Sequence, residues 1–383
     1  MPIQTRKFST LALLGAAIAL SNISSDGAQA EVVRAGKIKV NVETIASGLK
    51  NPWGLAFVSA DTMLVTERPG RLRLISEGQI SAPLRGVPKV AAVGQGGMLD
   101  VALDPDFANN NLIYLSYAKQ SSGGYATAVG RGKLVINGSR ARLDGFREIF
   151  SVAKKSGGGV HFGSRLVFGR DKTLFITSGD RGQQDRAQNP FDGAGSVLRI
   201  NRDGSIPKDN PFADGKDGAP AIWSTGHRNP QGAALHPETG ELWTVEHGAR
   251  GGDEINRPLA GKNYGWPVIS YGTHYSGRKI GIGKAADGFE QPLYYWDPSI
   301  APSGLNFYTG DAIPEWKGSL FVGALKFRML VRLTVDGTKI VSEERLFSKR
   351  YGRIRDVRTG PAGNLWLLTD ARDGRVLKIS PAQ

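Results

Sequence analysis

An all-β fold, a six-bladed β-propeller of four-stranded antiparallel sheets with long loops on one face, is what this 383-residue chain predicts. Three observations carry the prediction. A short apolar strand, a turn rich in Asp, Pro or Gly, and a second apolar strand ending near Thr, Ser, Glu or Asp recur six times. Within each unit apolar and polar positions alternate with period two, the mark of half-buried strands around a hairpin. Glycine, at 51 residues, runs at about twice the usual ~7%, as a chain of many tight turns requires.

The six copies begin at Trp53, Met98, Ser164, Gly232, Gly304 and Asp356, 45 to 72 residues apart. One such sheet cannot bury both faces, and radial packing about a central axis solves this with unequal repeats absorbed as loops. A two-sheet sandwich array or a solenoid is the alternative packing of the same strands. Insertions concentrate at 183–220 and 247–300. Loops on a rigid scaffold are where binding and chemistry tend to sit, so the site is sought there.

Arg6 and Lys7 precede an apolar run over residues 11–20, and Ala28-Gln29-Ala30 gives a small-x-small cleavage pattern. This predicts a secretory signal peptide over 1–30, a single propeller domain over 31–383, and a periplasmic or secreted mature protein. A run of about ten apolar residues is too short to span a ~30 Å hydrocarbon core. With no Cys, disulfide scaffolds are excluded, and 40% hydrophobic residues exclude disorder. The formal charge of +14 points to an anionic partner or setting. Ten basic against four acidic residues lie between Lys326 and Arg358, yet no helix-turn-helix or RNA-binding strand signature accompanies them, so nucleic acid is not expected.

His161 follows Gly157-Gly158-Gly159-Val160, and Asp180 ends the second strand of the same repeat nineteen residues on. A two-strand excursion returns one beside the other. The pair is then either a base with an orienting carboxylate or, for His161, a structural ring bonded to loop backbone. No His-based zinc spacing occurs and thiolates are absent. The loop from His247 to Asn256, with Asp253 and Glu254, either offers oxygens to a hard cation or is a solvated turn. Lys326-Phe327-Arg328 and Arg353-Ile354-Arg355 place their flanking cations on one face if both are strands. With Arg228 they either bind a compact polyanion or serve as blade-edge charges that discourage edge pairing.

Taken together, the blocks NPWGLAF, GQGGMLDVALDPDF, VHFGSRLVFG, GSVLRINRDGSIPKDNPF, GHRNPQG, HGARGGDEIN, KNYGWP and DPSIAPSGL resemble the soluble quinoprotein sugar dehydrogenases. These are six-bladed propellers that use pyrroloquinoline quinone (PQQ), and the resemblance covers nearly the whole mature chain. It implies oxidation of the anomeric hydroxyl of aldoses to lactones, with PQQ and Ca2+ as cofactors and an external electron acceptor, by a monomer or homodimer. His161 takes the role of general base with Asp180 holding its ring. Gln95, Arg228 and Asn229 fall at cofactor or substrate contacts, and Lys326, Arg328, Arg353 and Arg355 at the set that binds the cofactor's carboxylates. Gly248 and Ala249 fall where backbone carbonyls hold calcium, Glu254 and Tyr264 at a second calcium site, and Trp296 beside the substrate cleft.

Departures from the glucose-specialised branch bear on the substrate. Val160 stands where that branch has an acid before the catalytic His, Arg181-Gly182-Gln183 follows Asp180, and Ala249 replaces a common Pro. A calcium ligand supplied by a carbonyl survives the last change. A broader aldose preference than strict glucose is expected. Two other functions compete: a calcium-dependent lactonase built on the Asp253 and Glu254 loop, which leaves the cation cluster without a role, and a noncatalytic propeller that binds sugar or protein.

Overall fold

A computed structural model of the chain describes residues 1–3 and 30–382. The expected signal peptide lies, apart from its ends, outside the described residues. Six antiparallel sheets surround an axis, and their innermost strands begin at Pro52, Met98, Leu166, Pro230, Pro302 and Ile354, each within two residues of a sequence repeat. Blade 1 runs Pro52–Phe57, Thr62–Glu67, Arg71–Ser76 and Gln79–Ile80 outward from the axis; blade 2 runs Met98–Leu103, Leu112–Ser121, Gly124–Asn137 and Arg140–Ser151. Blade 3 is Leu166–Phe168, Leu174–Ser178, Ser196–Ile200 and Ile222–Ser224, and blade 4 is Pro230–Leu235, Leu242–Glu246, Asp253–Asn256 and Tyr294–Trp296. Blade 5 is Pro302–Phe307, Leu320–Ala324, Met329–Asp336 and Lys339–Leu346.

Blade 6 closes the ring from both ends of the chain. Ile354–Thr359, Leu365–Thr369 and Gly374–Pro381 are completed by Ile38–Leu49, which pairs from Val40↔Pro381 to Leu49↔Gly374. Glu31–Ala35 then adds a fifth strand outside it, one more than the repeat pattern predicts. A strand contributed by the other terminus removes the open seam a linear array of sheets would leave. Among the described residues the only helices are Phe107–Asn110 and two 3-10 segments, Gln184–Gln188 and Pro314–Trp316.

The core is the stack of apolar layers between blades. Between blades 4 and 5, for example, Trp243, Val245 and Ile255 meet Leu305, Val322 and Val331, and Trp243 stands edge-on to Phe307 at 5.3 Å. Hydroxyls at the second strands tie neighbouring blades together. Ser116 Oγ receives the Asp100 N–H at 2.9 Å and donates to Ser164 O at 2.6 Å, and Thr177 Oγ1 receives Arg165 N–H at 2.9 Å and donates to Pro230 O at 2.8 Å. Thr66 bridges Gly54 and Leu99 in the same way.

Charge fills the axis. Buried Arg165 lies 2.8 Å from Asp100 and 3.2 Å from Asp356, while Arg358 reaches Asp356 at 3.1 Å and Asp100 at 3.4 Å. Gly54 and Gly304 make room for the two carboxylates, since a Cβ on either would stand 2.6 Å from an Asp100 or Asp356 oxygen. Each inner strand begins, and each second strand ends, at the same end of the propeller, as the pairs Pro52↔Glu67, Pro230↔Glu246 and Pro302↔Ala324 record. That end is the mouth. The 183–220 insertion divides: residues 179–195 lie at the mouth, and the segment after Ile200 packs at the opposite end, where Arg199 bonds Asp171 and Asp209.

Candidate active site

His161 stands in the connection between blades 2 and 3, and Asp180 follows the second strand of blade 3, so both reach the mouth by the rule just given. Their Nδ1 and Oδ1 atoms are 2.7 Å apart, and the ring bonds the carboxylate rather than a loop carbonyl. Asp180 is 2% exposed and receives only donors: Gly182 N–H joins His161 on Oδ1 at 2.7 Å, and the Trp266 indole N–H meets Oδ2 at 2.8 Å. An ionised carboxylate only accepts, so the shared proton belongs to Nδ1, which in the neutral ring leaves the lone pair on Nε2. Burial opposes the Asp180 charge, but the His161 bond and charge, the Gly182 amide and the Arg228 guanidinium outweigh it and hold the carboxyl below its ordinary range.

Gln95 and Asn229 use their side-chain carbonyls on the segment that carries the ring. Gln95 Oε1 accepts the His161 N–H at 2.8 Å, and Asn229 Oδ1 accepts the Gly163 N–H at 3.2 Å. Under Arg228 and Asn229 lies Glu246, whose Oε2 accepts both backbone N–H groups while Oε1 accepts His227 Nδ1–H at 2.9 Å and Asn256 Nδ2–H at 2.9 Å. Glu246 thereby fixes the turn that places the Arg228 guanidinium 5.2 Å over Trp266.

Cations gather at the same mouth. Arg228 Nη1 donates to His247 O at 3.2 Å and to Gly248 O. Arg355 donates to Gln231 Oε1 and Asp370 Oδ2, both at 2.7 Å, and Arg353 to the same Asp370 oxygen at 3.1 Å. Arg68 joins them, its charge opposed by burial and by Arg355 and Arg353. The Asp370 side chain is 9% exposed, and although burial opposes its charge, Arg355 and Arg353 hold its carboxyl well below the usual range. One carboxylate thus faces three guanidiniums. Nε of Arg68, Arg228 and Arg355 and Nε2 of His247 are buried without a hydrogen-bond partner. Burial, Arg228, Arg355 and His161 push His247 far down, so it is neutral.

Lys326-Phe327-Arg328 is a turn between two strands of blade 5, not a strand, so strand periodicity does not align its cations. Arg328 has φ of +53°, and both cations are exposed. The turn is nevertheless at the mouth, where Leu325 O receives Arg353 Nη1–H at 3.4 Å. Trp296 is not brought to this group. It lies in the outermost strand of blade 4, 3% exposed, with its indole N–H on Glu343 of blade 5 at 2.7 Å, because the apolar layer between those blades claims its ring.

The oxygen donors cluster beside Arg228. Gly248 N–H donates to Asp253 Oδ1 at 2.8 Å, leaving its carbonyl toward Arg228, and Ala249 packs on Ala187 and Trp266. Glu254 is half-buried, and burial together with the Glu246 charge pushes it up to about 8. Asn256 supplies it one N–H at 3.2 Å and has its own Oδ1 unpartnered. The Tyr264 hydroxyl is engaged by Leu259 N–H at 3.0 Å and by Arg257 O, and its ring stacks on His227 at 4.8 Å. Among the described residues no three His, Asp or Glu side chains gather as a metal cluster.

Trp266, Arg68, Asp370 and Glu246 were not foreseen in these roles. Trp266 belongs to the KNYGWP block, and Arg68 and Asp370 each follow a second strand, so their position in the repeat was the available signal.

Comparison with known proteins agrees with this architecture. The sequence profile of the glucose/sorbosone dehydrogenase family matches residues 49–378. The aldose sugar dehydrogenase YliI of Escherichia coli (strain K12) is 47% identical over 347 residues, spanning 89% of this chain and 93% of the relative. A crystal structure of a glucose dehydrogenase superposes with TM-score 0.86 at 48% identity, covering 89% of this chain and 99% of that one. The PQQ-bound form of an aldose sugar dehydrogenase from Streptomyces coelicolor superposes with TM-score 0.73 at 28% identity, covering 92% and 98%. The chain therefore belongs to the glucose/sorbosone dehydrogenase family and is an enzyme, a dehydrogenase of sugars.

Proposed function

We propose that this enzyme oxidises the anomeric hydroxyl of aldoses to lactones with PQQ and calcium, passes the electrons to an external acceptor, and works in the periplasm or outside the cell after loss of residues 1–30. The carrying observation is the pairing, at one mouth, of an imidazole fixed by Asp180 with guanidiniums whose buried N–H groups lack partners. PQQ carries three carboxylates, and unpartnered donors on Arg68, Arg228 and Arg355 fit such a polyanion. Lys326, Arg228, Arg353 and Arg355 would hold it. The Glu254 carboxylate, the free Asn256 Oδ1 and the carbonyls of Gly248 and Ala249 are hard oxygens suited to calcium. When bound, PQQ supplies a quinone carbon that accepts hydride, made more electrophilic by the calcium ion.

The chain's own residues then manage the proton. His161 Nε2 takes it from the sugar hydroxyl, and Asp180 at 2.7 Å from Nδ1 steadies the imidazolium that results. Gln95 and Asn229 hold the loop at the angle this needs. With Val160 before the base, no acid is supplied there for a sugar hydroxyl, which supports a broad aldose range. Calorimetry of the mature chain with PQQ in calcium buffer, followed by dye reduction over a sugar panel, tests the reading. His161→Ala is expected to cut kcat by ~10² or more and leave PQQ binding unchanged. Absence of both heat and thermal shift overturns the cofactor assignment; unchanged turnover in His161→Ala overturns the base.

A further inference from the structure

Arg181 is a buried cation that the chemistry above leaves without a task. It is 2% exposed, and among the described residues it forms no ion pair with any carboxylate. Burial lowers its pKa to about 10, with the charge of Arg186 adding to the effect, so it stays protonated at neutral pH. Taking a guanidinium out of water with no carboxylate bonded to it is costly, and the nearby Asp180 charge offsets only part of that cost, so such a group leans on the hydrogen bonds it makes.

The two terminal nitrogens of Arg181 are spent on the stretch of chain that carries His161, while Nε is buried without a partner. Arg181 Nη2 donates to Gly158 O at 2.7 Å, Nη1 donates to Val160 O, and the guanidinium lies over the Phe162 ring. Between the two carbonyls it grips, Gly159 O receives Gln95 N–H at 2.7 Å. Three successive carbonyls are thus held, two of them by one planar fork. The segment needs such a hold, because it opens with three consecutive glycines and then places His161 in the left-handed region at φ +52°, a conformation that costs a non-glycine residue about 1 kcal/mol or more.

We propose that Arg181 is a positioning residue for His161. Asp180 sets the rotation of the ring through Nδ1, and its chain neighbour Arg181 sets the direction in which the ring leaves the backbone. The inference rests on His161 being the base, and it assigns Arg181 no contact with sugar or cofactor. A lysine replaces it only in part, since one ammonium reaches one carbonyl but does not span two carbonyls two residues apart as a planar fork does.

A double-mutant cycle tests this. Arg181→Met is expected to lower kcat by about 10- to 100-fold, as misplacement of a reacting group does, with KM and PQQ affinity changed less than about threefold. Arg181→Lys recovers part of the loss. In the His161→Ala background Arg181→Met should lower turnover by less than about twofold, because its effect passes through the missing ring. Phe162→Leu, which keeps both carbonyl bonds, provides a milder variant should Arg181→Met fold poorly, and is expected to shift kcat the same way by a smaller factor. Hydrogen exchange of the unloaded protein should show faster exchange over 157–162, with the blade strands unchanged. Losses that multiply in the double mutant, or kcat within twofold of the parent in Arg181→Met, overturn the proposal. If instead His161→Ala alone retains activity, the failure belongs to the base assignment.

Discussion

At the residue scale, Asp180 is the side chain with least freedom to change. Its two oxygens meet three N–H donors from His161, Gly182 and Trp266. An asparagine has one accepting oxygen, so one side of the group would set donor against donor. Asp180→Asn is expected to lower kcat by ~10² or more while the midpoint of thermal unfolding falls by only a few degrees, read from dye reduction and a melting curve. Asp370 answers to different physics. Its folded pKa is depressed, so its contribution to stability is complete above the unfolded value of ~4 and fades as pH falls through the folded one. Asp370→Asn should cost ~3 kcal/mol at neutral pH, and urea melts should find the gap between parent and variant constant above about pH 4 and shrinking below it.

At the element scale, the placement of the site follows from the direction of two strands per blade. An inner strand that starts, and a second strand that ends, at the mouth deliver His161, Arg228 and Arg353 from connections, and Arg68, Asp180, His247 and Asp370 from hairpins. Rigidity at that junction comes in part from hydroxyls such as Thr177, which joins two blades through the Arg165 N–H and the Pro230 carbonyl. Thr177→Val keeps the shape and strands both partners. It is expected to cost about 1–3 kcal/mol in a denaturant melt, with kcat also falling because Asp180 is three residues on. Strand periodicity was legible in the repeats, but it misplaced Lys326 and Arg328, since a tripeptide at a hairpin tip has no pleat to align it.

At the scale of the whole molecule, the ring is closed twice, by the N-terminal strands in blade 6 and by the charge quartet on the axis. The quartet links blades 2, 3 and 6 across the centre, with Arg165 buried between two carboxylates. Removing one member leaves charge uncompensated: burial already pushes Asp100 up, and Arg165, Arg358 and the Leu166 amide offset it. Arg165→Met is therefore expected to destabilise by about 3–5 kcal/mol, seen as a lower urea midpoint, more than any single mouth substitution.

The repeat starts, the hairpins and the proximity of His161 to Asp180 were written in the chain, because strand alternation and turn chemistry are local and a hairpin must return its ends to one another. The fifth strand of blade 6 was not, since it depends on which terminus finds the open edge. Nor were the roles of Arg68, Asp370, Trp266 and Arg181, or the withdrawal of Trp296 into the layer between blades 4 and 5. Trp266 and Trp296 are distant along the chain from the groups they meet, and their partners are chosen by how six sheets pack around an axis. Asp370 and Arg181 meet groups within a hairpin's reach, but strand alternation does not say which side chains a loop turns together.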